Sequence, residues 1–542
     1  MKFTKFLKFL PALLLAASAF GQTPTITSIQ NPASNILPGL PNYGTAQGQI
    51  FIIYGTNMGP TTLAQPTALP WPTTFGGVTV KLTPPGGAAV SVPIIYVLNT
   101  QIAAIMPSNF PLTVNNAFAT VQVTFNSVVG GSFATRVVDS NFGISTVDNT
   151  GTGTAVLTDA NYNVTTLTNS AKTGSTYAMW GTGLGAANSD NNIATNGDLG
   201  TPIQVFVGGV QAIVTYRGRS GAPGLDQINF TIPQGVTGCY VSLVVQTTTA
   251  TAIRVSNGPT IPIAGNGGTC SDPNNLSLST INAALAARGS FVFSGVTLEG
   301  DKQDAIAFFR RFTAAQIPTL RSQLLSTITP GSCATFISSG NSGSGGGNGG
   351  PPPSTGLDAG SALTLTPPTG SAISLPLSQT GVYRAASVNV ASGSYKLSNG
   401  TGGAAVSPFS VTFNGPSAFS WTNSTISTIT RANGLKITWT GGGANDIVDI
   451  SGSAGGNPVT VNGNLIPSNA NVQFDCQAPA AAGSFTIPTS VLLAMPPVTG
   501  TILNGSLSVQ LDGNPQPITI PGADIGYALT NTASVSTQVS FQ

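Results

Sequence analysis

Histidine is absent from all 542 residues, and glutamate occurs once, at Glu299. Without histidine, Ser-His-Asp and Cys-His catalysis and histidine-ligated metal sites are excluded. A Glu/Glu pair within one chain is excluded as well. The other acidic residues are aspartates, so a hydrolase using an Asp pair stays open by composition, although their spacing forms no cluster. A Ser-x-x-Lys motif does not occur. Charge of either sign is scarce: Asp, Glu, Lys and Arg make up 6% of the chain, against about 25% in ordinary soluble proteins. Lys2, Lys5 and Lys8 lie in an N-terminal leader, and setting them aside leaves 15 basic against 16 acidic residues, a net of −1. A chain so near neutrality lacks the basic footprint of a nucleic-acid binder. Beyond the leader no apolar run is long enough for a membrane-spanning helix, so an integral membrane protein of that kind is not expected.

The leader itself reads as a signal peptide over residues 1–21. Three lysines precede the apolar run Phe9 to Phe20, and Ala19-Phe20-Gly21 fits a small-x-small cleavage site before Gln22. Export to the exterior or the cell surface follows, and the four cysteines, Cys239, Cys270, Cys333 and Cys476, suit an oxidising compartment. Cys239 opens a strand that Ala252 to Ile263 can meet as a hairpin, with Cys270 close behind, which favours a Cys239–Cys270 disulfide. Cys270–Cys333 is the nearest rival pairing. No two cysteines are spaced as a Cys-x-x-Cys metal arm, and no cofactor is expected.

What is abundant is punctuation and β-type sequence. Sixty-six glycines and 39 prolines separate short runs rich in β-branched and aromatic residues, such as Gln49–Tyr54, Val78–Leu82, Thr120–Phe125, Tyr240–Gln246, Leu435–Trp439, Leu507–Leu511 and Val535–Phe541. Several alternate apolar and polar positions, as half-buried strands do. One stretch differs. Eight charged residues fall between Asn275 and Ile328, where Ala305, Phe308, Phe309 and Phe312 repeat at helical spacing behind an acidic turn at Asp301 and Asp304. A helix is expected there and another over about 319–325, flanked by strands at Ser290–Leu298 and Cys333–Ser338. Residues 341–355 are a Gly/Ser-rich linker ending in a Pro triplet.

Two segments share one order of landmarks. Gly55-Thr-Asn-Met-Gly59 returns as Gly181-Thr-Gly-Leu-Gly185, and Thr100-Gln-Ile-Ala-Ala-Ile-Met-Pro107 returns as Asp226-Gln-Ile-Asn-Phe-Thr-Ile-Pro233, both 126 residues later. Phe75-Gly-Gly-Val78 has its counterpart in Val207-Gly-Gly-Val210. A repeat of that length is a duplicated domain rather than a solenoid unit. These landmarks resemble the IPT/TIG group of immunoglobulin-like domains. The longer string Val205-Phe-Val-Gly-Gly-Val-Gln-Ala-Ile-Val-Thr-Tyr-Arg-Gly, followed by Gly224-Leu-Asp-Gln-Ile-Asn-Phe-Thr-Ile-Pro, resembles the uncharacterised C-terminal domain family of acidobacterial secreted proteins. That resemblance covers about residues 25–265 and implies sandwiches without assigned functional residues. The expected fold is mainly β: tandem immunoglobulin-like β-sandwiches at 24–145 and 146–265, a small α/β module at 270–340, the linker, and a C-terminal β-sandwich at 356–542. A closed outer-membrane barrel is the rival for the last region, but aromatic girdles are not evident.

Candidate chemistry is thin. The Gly181 turn lacks the Lys-Ser/Thr of a phosphate loop, and its repetition marks it as a structural turn. Asp190, Asn192 and Asp198 give the best oxygen-rich loop for calcium, although no bidentate glutamate follows. Arg217-Gly-Arg219 reads as a solvated hairpin tip. Trp180 and Trp439 fall in strands and read as core, whereas Trp71, between two prolines, and Trp421 read as exposed aromatics able to bind a partner. The expected role is a non-enzymatic secreted or surface protein for adhesion, display or matrix contact, whose partner is an extracellular protein or a polysaccharide. A carbohydrate-binding array and an Asp-pair hydrolase are the alternatives.

Overall fold

The computed structural model describes residues 22–113, 117–271, 278–300, 302–314, 328–339, 354–461, 464–466, 470–498 and 503–542. The leader, the helix expected over 319–325 and linker residues 341–353 lie outside them. The protein is mainly β, with two short α-helices, Leu278–Arg288 and Thr489–Leu492, among the described residues.

Unit 1 is a β-sandwich. One sheet runs in the order Thr25–Gln30, Ile50–Thr56, Gln101–Ile105, Ile94–Val97. The other contains Val128–Thr135, Ala119–Phe125, Val78–Thr83 and Thr74–Phe75. Alternate residues of both, including Ile29, Phe51, Ile53, Val80, Val121 and Val123, interdigitate in a closed core.

Unit 2 repeats the plan with a wrapped sheet. Thr176–Thr182 pairs with Asp226–Thr231, as Ile50–Thr56 pairs with Gln101–Ile105 in unit 1. Val210–Arg219 pairs with Ile203–Val207 along its first part and with Asp226–Thr231 along the rest. A register break between Val214 and Tyr216 lets this strand turn the sheet around a core of Val205, Ile228, Phe230 and Leu243.

The repeated sequence landmarks are neighbours in space in both units. Gly55 lies beside Thr25, where an added Cβ would come 2.0 Å from its carbonyl oxygen; at Gly181 the equivalent approach is 2.1 Å, to Gly143. Only glycine lets the adjoining strand pass so closely. The apolar residue of each turn, Met58 or Leu184, is fully buried. The paired glycines also match: φ is 56° and 78° at Gly76 and Gly77, and 56° and 76° at Gly208 and Gly209. Two successive positive φ values make the hairpin turn that leads into Val78–Thr83 and Val210–Arg219.

The segment around Ala305 to Phe312 is not the expected helix. Asp304–Thr313 is a strand, antiparallel to Ser290–Glu299 on one side and to Val382–Ala385 on the other. It is covered on both faces. Ala305, Ala307 and Phe309 point into one core with Tyr383 and Leu363, while Phe308 and Phe312 join Phe291, Phe293 and Ile281 in another. A strand buried on both sides loses its period of two, and its apolar run then imitates a helical face. The helix of this region lies earlier, at Leu278–Arg288, and packs through Ile281 and Ala284.

Ser290–Glu299 runs parallel to Ile525–Asn531, so the hairpin is set into one large sheet with strands from the C-terminal region. Local charge serves this junction: Arg288 meets Asp524 at 2.5 Å, Lys302 meets Glu299 at 2.8 Å, and Arg384 pairs with Asp304. The linker yields to the sheet at its end, where Ser354 accepts a hydrogen bond from Arg310 and Thr355–Gly356 pairs with Asp304–Thr313. A further core holds Trp439, Ile450, Phe474, Leu507 and Phe541, and Ile36 and Leu40 of unit 1 reach into it.

Candidate ligand-binding surface

The oxygen-rich loop of unit 2 is occupied by unit 1. Both carboxylate oxygens of Asp190 accept from Ser108, Oδ2 from its backbone N–H at 2.8 Å and Oδ1 from its hydroxyl at 2.6 Å. Ser108 Oγ in turn accepts from the Ala187 N–H at 2.8 Å, and Asn191 O accepts from the Trp71 N–H at 2.6 Å. Asn192 Oδ1 accepts from the Ile193 N–H. Asp198 is used separately, accepting from the Gly200 N–H at 2.7 Å and facing Arg217 at 3.8 Å. The loop around Asp190 therefore serves as an inter-unit strap.

Arg217-Gly-Arg219 is not a solvated tip. Arg219 is buried, pairs with the buried Asp226, and donates to Gly185 O at 2.7 Å and to Gly48 O of unit 1 at 2.8 Å. Asp226 Oδ2 also accepts from the N–H groups of Gly183 and Leu184, which holds the repeated glycine turn closed. Burial pushes the Asp226 carboxyl up, while Arg219 and the two turn N–H groups pull it back.

The tryptophans are placed differently from expectation. Trp421 is buried: Phe419–Trp421 pairs with Leu435–Gly441 so that Trp421 lies directly opposite Trp439 on the same inward face. Its indole N–H donates to Asn423 Oδ1 at 2.8 Å, and that of Trp439 donates to Ala480 O at 2.8 Å. Trp71 is half-buried at the strap. Cys239 and Cys270 are joined, with Cα atoms 5.3 Å apart, and Cys333 is bonded to Cys476 directly across an antiparallel strand pair.

Trp180 is half-exposed on the outer face of unit 2. The inward positions of its strand are taken by residues such as Met179, which is fully buried. Trp180 is opposite Gln227, and Ala178 is opposite Asn229. On the third strand Tyr216 is opposite Asn229, which places it on the same outer face. The indole N–H of Trp180 donates to Thr158 Oγ1 at 3.0 Å, and Thr158 is bridged to Val164, which is 42% exposed.

Above this face stands Tyr162, 72% exposed, with its ring centroid 6.2 Å from that of Trp180 and tilted by 38°. Its φ is 62°, a left-handed conformation that costs a non-glycine residue roughly 1–2 kcal/mol. Asp159 enforces it: Oδ1 accepts from the N–H groups of Asn161 and Asn163, Oδ2 accepts from Asn163 Nδ2, and the Tyr162 N–H closes back on Asp159 O. These bonds, that to the Asn163 side chain foremost, hold the Asp159 carboxyl below its usual range. Trp180 is thus not the core residue that its strand position suggests, and no sequence motif marks Tyr162. The alternation Thr176, Ala178, Trp180 was the available signal, because a tryptophan sharing a face with threonine is on the wetter side of a strand.

A second polar constellation lies on the large sheet. Asp449 and Asp475 are in hydrogen-bond contact on adjacent strands. Burial raises both carboxyls, Asp475 to about 6, and Asp449 is raised further by Asp475 itself. Two carboxyls in contact share a proton.

No family model matches the chain, and no curated protein matches it. Among solved structures, a match is the crystal structure of a tetra-tandem repeat in the extending region of a large adhesion protein, at 11% identity, covering 93% of this chain and 98% of that one, with a TM-score of 0.13. Superposition at that level does not establish a common fold.

Proposed function

We propose that this chain is a non-enzymatic extracellular β-protein for adhesion, display or matrix contact. The observation that carries the reading is the strap between the repeats. Ser108, Asp190, Arg219 and Gly48 lock unit 2 to unit 1, giving a stiff body suited to holding a binding surface away from its base. The matched glycine turns and Gly-Gly hairpins support tandem IPT/TIG-like units, the second akin to the acidobacterial secreted domain. Two disulfides suit an oxidising exterior. The test is adhesion of beads coated with the full exported chain to cells, to matrix-protein films and to polysaccharide films. Retention on any of them above albumin-coated beads is expected; retention on none overturns the proposal.

The carbohydrate-binding alternative is favoured by one specific observation, the exposed Tyr162–Trp180 pair. On the outer face of unit 2, aromatic rings and side-chain amides occur together.

A further inference from the structure

Resting on the binding reading above, we infer that the outer face of unit 2 is a docking platform for a neutral polysaccharide. The turn at Asp159–Asn163 holds Tyr162 in a conformation that its side chain disfavours and leaves the residue 72% exposed. A tyrosine serving only to close a turn would be better replaced by asparagine or glycine. Strained, exposed residues held by their surroundings cluster at ligand-binding sites.

The rest of the face supplies complementary chemistry. Trp180 lies next to Tyr162 in an open, tilted arrangement, so the two rings offer apolar surface to the C–H face of a pyranose. Gln227 stands directly across from Trp180, and its Nε2 donates to Asn229 Oδ1 at 2.7 Å. That bond orients both amides, turning the Gln227 carbonyl and the Asn229 N–H groups toward other partners such as sugar hydroxyls. The outward positions on the three strands, Trp180, Ala178, Gln227, Asn229 and Tyr216, carry no charge. Asp159, beneath the turn, already accepts three hydrogen bonds. Beside Tyr216, Arg217 already faces Asp198 at 3.8 Å, so the cation next to this face is offset by a carboxylate and favours an uncharged sugar chain over a polyanion or an acidic peptide.

The decisive experiment is native affinity electrophoresis of the full chain through gels containing neutral glucan, neutral xylan or mannan, and, in a parallel arm, polyuronate. Retardation by at least one neutral polymer is expected, with little or none by polyuronate. Tyr162→Asn keeps a residue tolerant of the left-handed turn, so its melting temperature should hold or rise while affinity falls at least tenfold. Gln227→Ala should weaken binding severalfold. In the wild type, tryptophan fluorescence should shift on saturation, and in Tyr162→Asn the midpoint of that shift should move to at least tenfold higher polymer concentration. The inference is overturned by a wild-type chain that no neutral polymer retards, by retardation confined to polyuronate, or by unchanged affinity in a folded Tyr162→Asn. Bead adhesion that survives such a result would leave the adhesive role standing and remove only this site. Loss of bead adhesion on every film would remove the role itself.

Discussion

Units 1 and 2 close the same turn by different means. In unit 1 the backbone does it: the Gly55 N–H donates to Thr100 O at 3.0 Å, and the Met58 N–H to Asn99 O at 2.9 Å. In unit 2 the residue aligned with Thr100 is Asp226, whose carboxylate takes the N–H groups of Gly183 and Leu184 and is balanced by Arg219. The charged version does more than close a turn. Arg219 extends to Gly48, so the pair that seals unit 2 also fastens it to unit 1. The buried ion pair at one landmark thus adds an inter-unit contact to those made by the Asp190 strap.

The largest expected break in this comparison is Arg219→Ala. It leaves Asp226 buried without its cation and should cost about 3–5 kcal/mol, measured by denaturant unfolding. Thr100→Ala, at the aligned but exposed position in unit 1, should stay within about 0.5 kcal/mol. Equal losses would show that the ion pair adds nothing to the backbone closure.

The Asp449–Asp475 pair sharpens the point, because there a buried carboxyl has another carboxyl as its neighbour instead of an arginine. The Asp475 carboxyl, raised by burial to about 6 from 3.8, binds its proton more tightly in the folded chain. Its contribution to stability is therefore complete below about pH 4 and is lost as pH rises through about 6. Melting temperature should fall from pH 4 to pH 7, and Asp475→Asn should flatten that slope. An unaltered slope in the variant would place the titration elsewhere.

A third test asks whether the two scaffolds remain equivalent where their landmarks are the same. Gly55→Ala and Gly181→Ala both drive a methyl group against a carbonyl of the adjacent strand, and each should cost about 1–3 kcal/mol. A gap much above 1 kcal/mol between them would mean that the copies no longer share one constraint. Smallest of the losses, the Thr100→Ala control aside, is that of Ser108→Ala, which removes the hydroxyl bonds to Asp190 and Ala187 and should cost about 1 kcal/mol. Its readout is faster proteolysis within residues 186–199, with the rest of the chain equally resistant.

Much of the scaffold was legible from residue order. Strands such as Val78–Thr83, Leu435–Gly441 and Val535–Phe541 follow alternating or β-branched runs, and the Gly-Gly turns coincide with positive φ. The binding face was not legible in the same way. Trp180 and Trp421 both sit in short β-type runs, yet one lies on an outer face and the other opposite Trp439 in a core. Tyr162 sits in a polar turn motif that gives no indication of a neighbouring ring. The Asp449–Asp475 contact joins residues 26 positions apart, and only the pairing of their strands brings them together.

Sequence alone determined where backbone sterics leave one option: glycine where a strand passes at 2.0 or 2.1 Å, paired glycines where two successive φ values are positive, and a period of two where one strand face is wet. Tertiary structure decided which faces became wet. It made Asp304–Thr313 a strand by covering both of its sides, buried Trp421, left Tyr162 and Trp180 open, and turned the Asp190 loop into a strap. Those outcomes depend on contacts between distant segments, and burial, unlike a dihedral preference, belongs to the pair of surfaces that meet.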